Sequence, residues 1–304
     1  MINKREILLG GLGMVLSGRA EAAGEVLRVP LARDAMGHPL VSLHINDQGP
    51  FIFKLDAGAR HSTIGLRLAN RLKLQLIGDA LDPYEGTRDG KSFRVYRVNA
   101  AKVETGGGPA FKNVTFLRGV DIEGVDGIIG NVLFSSLPCI LDDDASEIRY
   151  YDEPSLPLDG FHAIPAKVIR SGIKSMAVVV ETQLAGIGMK CGINTLSGAG
   201  VFVSSTFVKA HGLWDKYPDF TVEDQSADGK SGPIRRIVQA RDFKIGPFQL
   251  DAIQLTLCDP ADPQAWDDID AIVGAGVLSL FSIAFDGKGK VWLKPNPYTV
   301  GPTT

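Results

Sequence analysis

Gly49-Pro50-Phe51-Ile52-Phe53-Lys54-Leu55-Asp56-Ala57-Gly58-Ala59 is the stretch that decides how this chain is read. A turn opens it, a mostly apolar run follows, and the run ends in one carboxylate. Ala57, Gly58 and Ala59 are small enough for the backbone to bend tightly beside Asp56. A strand that delivers an acid into such a loop places a charge where burial and neighbours tune it. Taken alone, the stretch also fits an Asp in an ordinary turn. A second, degenerate copy further along the chain separates the two readings.

Upstream, residues 40–45 alternate apolar and polar side chains as a half-buried strand does, and residues 46–50 form a turn cluster. Downstream, residues 63–74 carry helical spacing, with Leu66, Ala69 and Leu72 able to share a face. Asp89-Gly90, ahead of the run at 93–98, is a hairpin signal. Residues 114–120 read as another strand. Val125-Asp126-Gly127-Ile128-Ile129-Gly130 then leads to Cys139-Ile140-Leu141-Asp142. Pro154, Pro157, Asp159, Gly160 and Pro165 mark a linker.

Beyond the linker the same order returns. Residues 176–180 are apolar, Gly186-Ile187-Gly188 makes a turn, and Met189-Lys190-Cys191-Gly192-Ile193 leads into Asn194-Thr195-Leu196-Ser197-Gly198-Ala199. Ser205 is placed to cap a short helix running to His211, with Gly212 as its stop. Asp228-Gly229 is a second hairpin tip. Asp270-Ala271-Ile272-Val273-Gly274 matches residues 126–130, and Phe285-Asp286 matches Leu141-Asp142. Asp126 to Gly130 spans four residues, as does Asp270 to Gly274, and each Gly lies twelve before its Asp (142 and 286). Asp56 to Gly130 is 74 residues and Asn194 to Gly274 is 80, a difference that loop lengths absorb. The chain therefore reads as two copies of one fold.

Composition sets the remaining bounds. The chain has 304 residues, with 44% hydrophobic and 22% charged side chains, as expected of one large or two medium globular domains. A net charge of −3 without a basic stripe gives no case for nucleic acid. Its 35 glycines favour turns and short strands over long helices. Lys4 and Arg5 precede an apolar run at 7–16, and Ala20-Glu21-Ala22-Ala23 offers a small-residue cleavage site. That run is short for a membrane span, so residues 1–23 read as an export signal, loosely of the twin-arginine type. No later segment is apolar enough to cross a membrane. Cys139, Cys191 and Cys258 lie far apart, without C-x-x-C, and read as buried free thiols, although an oxidising compartment permits one disulfide with one thiol left over. The five histidines lack metal-ligand spacing, so no metal and no cofactor is expected.

Leu55-Asp56-Ala57-Gly58-Ala59 resembles the Asp-Thr/Ser-Gly-Ala loop of aspartic peptidases of the retropepsin and pepsin kind. Ile128-Ile129-Gly130 and Ile272-Val273-Gly274 resemble the hydrophobic-hydrophobic-Gly element that crosses beneath that loop. Both halves carry the likeness, which is closest to bacterial exported aspartyl-protease-like proteins. The resemblance implies a mainly β fold with two β-barrel lobes related by a pseudo-twofold and a cleft between them. Residues 24–153 would form the first lobe, 154–164 the linker, 165–298 the second lobe and 299–304 a tail. It implies catalytic positions at Asp56 and Asn194. It implies substrate contacts at Ala57, Gly58, Ala59 and Thr195, and at Asp89 and Gly90 of a hairpin over the cleft. The partner would be a peptide segment, and the protein an exported monomer, periplasmic or secreted.

The chain departs from that pattern where the chemistry is most demanding. The family needs two carboxylates sharing one proton, one ionised to activate water and one protonated to polarise the scissile carbonyl. Asn194 stands where the second acid belongs, and an amide carries no exchangeable acid proton. Leu196 replaces the second Gly, and Ala57 replaces the hydroxyl that helps tie the loops, although Thr195 is able to supply half of that tie. The expectation is weak or lost hydrolysis, or a module that holds an extended peptide without cutting it. Pairing of two chains through their first lobes would have to displace the intrachain lobe. His61 is the nearest alternative proton donor in sequence, though a polar residue at a helix start is its plainer role. Asp142-Asp143-Asp144 reads as a charged turn, Gly106-Gly107-Gly108 as a flexible turn, and Trp214, Trp266 and Trp292 as core or cleft wall.

Overall fold

A computed structural model describes residues 25–59, 61–78, 84–88, 91–119, 121–151, 156–171, 175–223, 234–261 and 269–297. Short strands dominate them, joined by four short α-helices and one 3-10 turn.

The first lobe closes on itself. Strand Pro39–Ile45 pairs with Gln48–Leu55, and that strand runs parallel to Gly127–Ile129. Gly127–Ile129 lies against Ser62–Gly65, which is parallel to Ala110–Gly119. Ala110–Gly119 pairs with the long strand Lys91–Thr105, which returns to Pro39–Ile45 through Leu43↔Thr105 and Ile45↔Val103. Leu43, Ile45, Phe53, Leu55, Val98, Phe116 and Ile129 fill the ring and are fully buried. Each such side chain contributes about 1.5–3 kcal/mol by leaving water. The strict in–out alternation of strand Pro39–Ile45 follows from its having one face on this core.

The second lobe repeats these pairings at corresponding registers. Ile187–Ile193 runs parallel to Ala271–Val273, as Gln48–Leu55 does to Gly127–Ile129. Val201–Val203 lies between Ala271–Val273 and Ile253–Cys258, as Ser62–Gly65 lies between its neighbours. Here the ring is interrupted. The counterpart of the long strand breaks at Arg241 and Asp242 into Arg235–Ala240 and Phe243–Ile245, and only the latter reaches Ser175–Leu184.

A six-stranded antiparallel sheet joins the lobes, in the order Glu25–Pro30, Glu147–Tyr151, Cys139–Asp142, Phe281–Phe285, Val291–Pro295, His162–Ile164. Cys139–Asp142 from the first half pairs directly with Phe281–Phe285 from the second. These are the two segments whose matching positions the sequence revealed. The edge strand His162–Ile164 comes from the stretch read as linker. Its apolar Ile164 is buried against the core.

Two local readings shift. The helix expected over residues 63–74 is Leu66–Arg71, because Ser62–Gly65 is drawn into the barrel between two strands. Thr63 and Ile64 are β-branched and suit that pleat better than a helix. The second short helix is Ser205–Ala210, and its cap is Ser204, whose Oγ accepts the Phe207 N–H at 3.2 Å. The three cysteines are buried, and none of them forms a disulfide. Both hairpin tips, Asp89-Gly90 and Asp228-Gly229, lie outside the described residues, as do Trp266 and the segment read as an export signal. The strands flanking the first tip, Tyr84–Arg88 and Lys91–Thr105, pair antiparallel from Tyr84↔Val95 to Arg88↔Lys91.

Candidate active site

Asp56 sits where strand Gln48–Leu55 ends, and its N–H donates to the Ile129 carbonyl at 3.0 Å. Asn194 sits where strand Ile187–Ile193 ends, and its N–H donates to the Val273 carbonyl at 2.9 Å. Each loop thus rests on its own hydrophobic-Gly strand in the same way. Gly130 and Gly274 terminate those strands against the loops. A β-carbon on Gly130 would lie 2.6 Å from the Ala59 carbonyl oxygen, and one on Gly274 2.2 Å from that of Ala199. No other residue fits so close an approach.

The two loops meet. A β-carbon on Gly58 would fall 1.5 Å from the Ile193 carbonyl oxygen and 3.1 Å from the Asn194 α-carbon. Thr195 crosses in the other direction. Its Oγ1 donates to the Leu55 carbonyl at 2.8 Å and accepts the Ala57 N–H at 3.1 Å. Ala57 has no hydroxyl to return that bond, so the tie is made from one side. Ala57 and Thr195 are buried and committed to it, while Gly58 and Ala59 are half-buried.

The electrostatics of the pair are unequal. The Asp56 carboxylate is buried, and burial pushes its pKa above the ordinary value. The N–H groups of Gly58, at 2.8 Å, and of Thr195 and Ala59 act in the opposite direction without cancelling it. One of those donors, Thr195, belongs to the other lobe. Asn194 is half-buried, and its Oδ1 accepts the N–H groups of Leu196 and Ser197, each at 2.8 Å. With the oxygen held by its own loop, the amide NH2 is the edge left for other partners. His61 lies half-buried just before strand Ser62–Gly65.

A further pair of residues holds the site from beneath. By position alone, four residues before a Gly at a strand edge, Asp126 and Asp270 read as loop carboxylates. In the fold, Asp126 Oδ2 accepts the Ile52 N–H at 2.9 Å while Asp126 N–H donates to the Ile52 carbonyl at 2.7 Å. Asp270 does the same with Lys190, at 2.8 and 2.7 Å. The carbonyls of Asp126 and Asp270 accept the N–H groups of Gly65 and Ser204, both at 2.9 Å. Each aspartate therefore pins three strands below its loop. The signal was present: both acids stand four residues before the matching Gly.

Elsewhere, the Asp142-Asp143-Asp144 turn is paired with arginines, Arg149 to Asp142 and Arg33 to Asp143. Among the described residues no group of His, Cys, Asp or Glu is arranged to hold a metal ion.

The mainly β architecture, with two like lobes meeting through their loops, is the two-lobed fold of the pepsin-like aspartic proteinases. Comparison with known proteins agrees. Residues 41–132, the heart of the first lobe, match the family described as aspartyl protease. Among solved structures, the aspartic proteinase from Irpex lacteus superposes with a TM-score of 0.52 at 12% identity, covering 91% of this chain and 99% of that one. A second, edgp, gives 0.51 at 10% identity, covering 91% and 96%. At such identities the likeness is one of fold. No curated protein sequence matches the chain. No helix among the described residues is long and apolar enough to cross a membrane.

Proposed function

We propose that this is a bacterial, exported, monomeric aspartic-peptidase-like protein whose hydrolytic power is weak or lost, and whose inter-lobe cleft takes an extended peptide. One observation carries the reading: the loop position that answers Asp56 holds the amide of Asn194, with its oxygen bonded to the N–H groups of Leu196 and Ser197. A dyad works because two carboxyls share one proton, so that water is activated by one and the carbonyl polarised by the other. Asp56 with Asn194 has one carboxyl. Asp56 retains the capacity to accept a proton from water, and its raised pKa makes it a better base than an ordinary carboxylate. The proton-donating half is missing.

A peptide-binding module without cleavage is the second reading, and the retained hairpin favours it. Strands Tyr84–Arg88 and Lys91–Thr105 pair antiparallel as far as Arg88↔Lys91, and such an element offers main-chain groups to an extended segment. Export is supported by Lys4, Arg5, the apolar run after them and the small residues at 20–23.

The test uses the mature chain with a peptide library at acidic to neutral pH. Binding with little product, unchanged by an inhibitor of aspartic dyads, fits the proposal. Rapid inhibitor-sensitive turnover that disappears in Asp56→Ala refutes it, and absence of both binding and cleavage removes the peptide reading as well.

A further inference from the structure

The sheet that joins the lobes has a second face, away from the main core. Ile140, Tyr151 and Ala284 are buried there as a separate apolar cluster, covered by Leu156, Leu158 and Trp292 among others. Beside that cover a groove of about 680 Å³ opens, a size that suits a small ligand. Leu156, Leu158, Val168 and Trp292 form its apolar wall, and all four are half-buried. Lys167 and Lys290 stand at its rim, both exposed. Their stems extend apolar surface while their ammonium heads stay in water.

The acid among the described lining residues is Asp286, and one of its oxygens is held by its own turn. Its Oδ1 accepts the N–H groups of Lys288, Gly289 and Lys290, at 2.7, 2.8 and 2.9 Å, within its own turn. An apolar wall edged by cations selects a ligand with an apolar body and an anionic end. We infer that this groove binds a single-chain carboxylate amphiphile, its acyl chain against Trp292 and Leu158 and its carboxylate between Lys167 and Lys290. A cationic amphiphile meets like charge at the rim, and a neutral one leaves the lysines unused. None of these residues belongs to the loops of Asp56 or Asn194, so the inference stands apart from the peptide cleft.

Calorimetric titration of the mature chain with decanoate, kept below its micelle concentration, tests it. Saturable one-site binding is expected, with decyltrimethylammonium giving none. The variant carrying Lys167→Gln and Lys290→Gln should bind decanoate roughly tenfold or more weakly, the loss expected of charge-assisted contacts. Decanoate should shift tryptophan fluorescence in the parent, and that shift should vanish in Trp292→Phe. Should the double variant fail to melt cooperatively, Lys290→Glu at its exposed position serves instead, with the same loss expected. Absence of saturable heat, equal binding of the cationic analogue, unchanged affinity in the lysine variants, or binding to anionic vesicles alone would each overturn the inference.

Discussion

Gly58 lies against Ile193 so closely that a β-carbon on it would come within 1.5 Å of the Ile193 carbonyl oxygen. The contact is backbone on backbone, across the lobe interface, so no side chain is able to swing aside. Gly58→Ala should therefore cost about 3 kcal/mol or more, the upper range for overpacking. Chemical denaturation of the variant measures it. A loss below about 1 kcal/mol would mean that the two loops are not in contact.

Thr195 supplies the polar half of the same junction. Thr195→Val keeps the volume but leaves the Ala57 N–H and the Leu55 carbonyl buried without their partner. The expected cost is about 1–3 kcal/mol, and Thr195→Ser should recover most of it. Equal stability of the Val and Ser variants in urea would contradict the tie.

Asp126 and Asp270 should behave as a matched pair. Replacing either with Ala removes the acceptor for a strand N–H, of Ile52 or Lys190, at a cost of about 1–3 kcal/mol. Asn should be tolerated at both positions, since its oxygen accepts the same bond. Thermal melts of the four single variants decide this. Asn variants as unstable as the Ala variants would show that charge, rather than the acceptor, matters.

How far the sequence speaks is clearest from such residues. Both loops, both hydrophobic-Gly strands and the paired Cys139–Asp142 and Phe281–Phe285 strands follow from spacing, because duplicated strand registers leave fixed intervals in the chain. Helix Leu66–Arg71 was overextended because the barrel recruits Thr63 and Ile64 as strand, a tertiary demand that local periodicity does not register. His162–Ile164 hides in a Pro-rich stretch for a similar reason: its pairing partner lies more than a hundred residues away. The break at Arg241 and Asp242 separates the lobes' shapes without altering any motif. The shared interval before Gly130 and Gly274 marks Asp126 and Asp270 as equivalent, but their pinning role depends on which backbone N–H each carboxylate reaches, which only the folded chain defines.

The pKa of Asp56 sets a pH dependence. Burial raises its folded-state value above the 3.8 of an ordinary carboxyl. The native carboxyl then holds its proton where the unfolded chain has released it, so this group's contribution to stability is fully present below the unfolded value. It is lost as pH rises through the folded value. Asp56→Asn removes the buried charge, so its melting temperature should exceed the parent's at pH 7, and the gap should close as pH falls towards 3.8. A gap that widens on acidification would reverse the sign and refute the assignment.

Restoring the missing acid tests the central claim most directly. Peptide cleavage should be measured for the mature parent chain, for Asn194→Asp with Leu196→Gly, and for the same double variant carrying Asp56→Ala. A change from Asp to Asn in another protease's catalytic set costs roughly 10⁴ in rate, which bounds the gain available here. The account predicts little turnover by the parent, a gain of about a hundredfold or more in the double variant, and its loss once Asp56 is removed. Fast cleavage by the parent, abolished by Asp56→Ala and not improved by the second carboxyl, would contradict it.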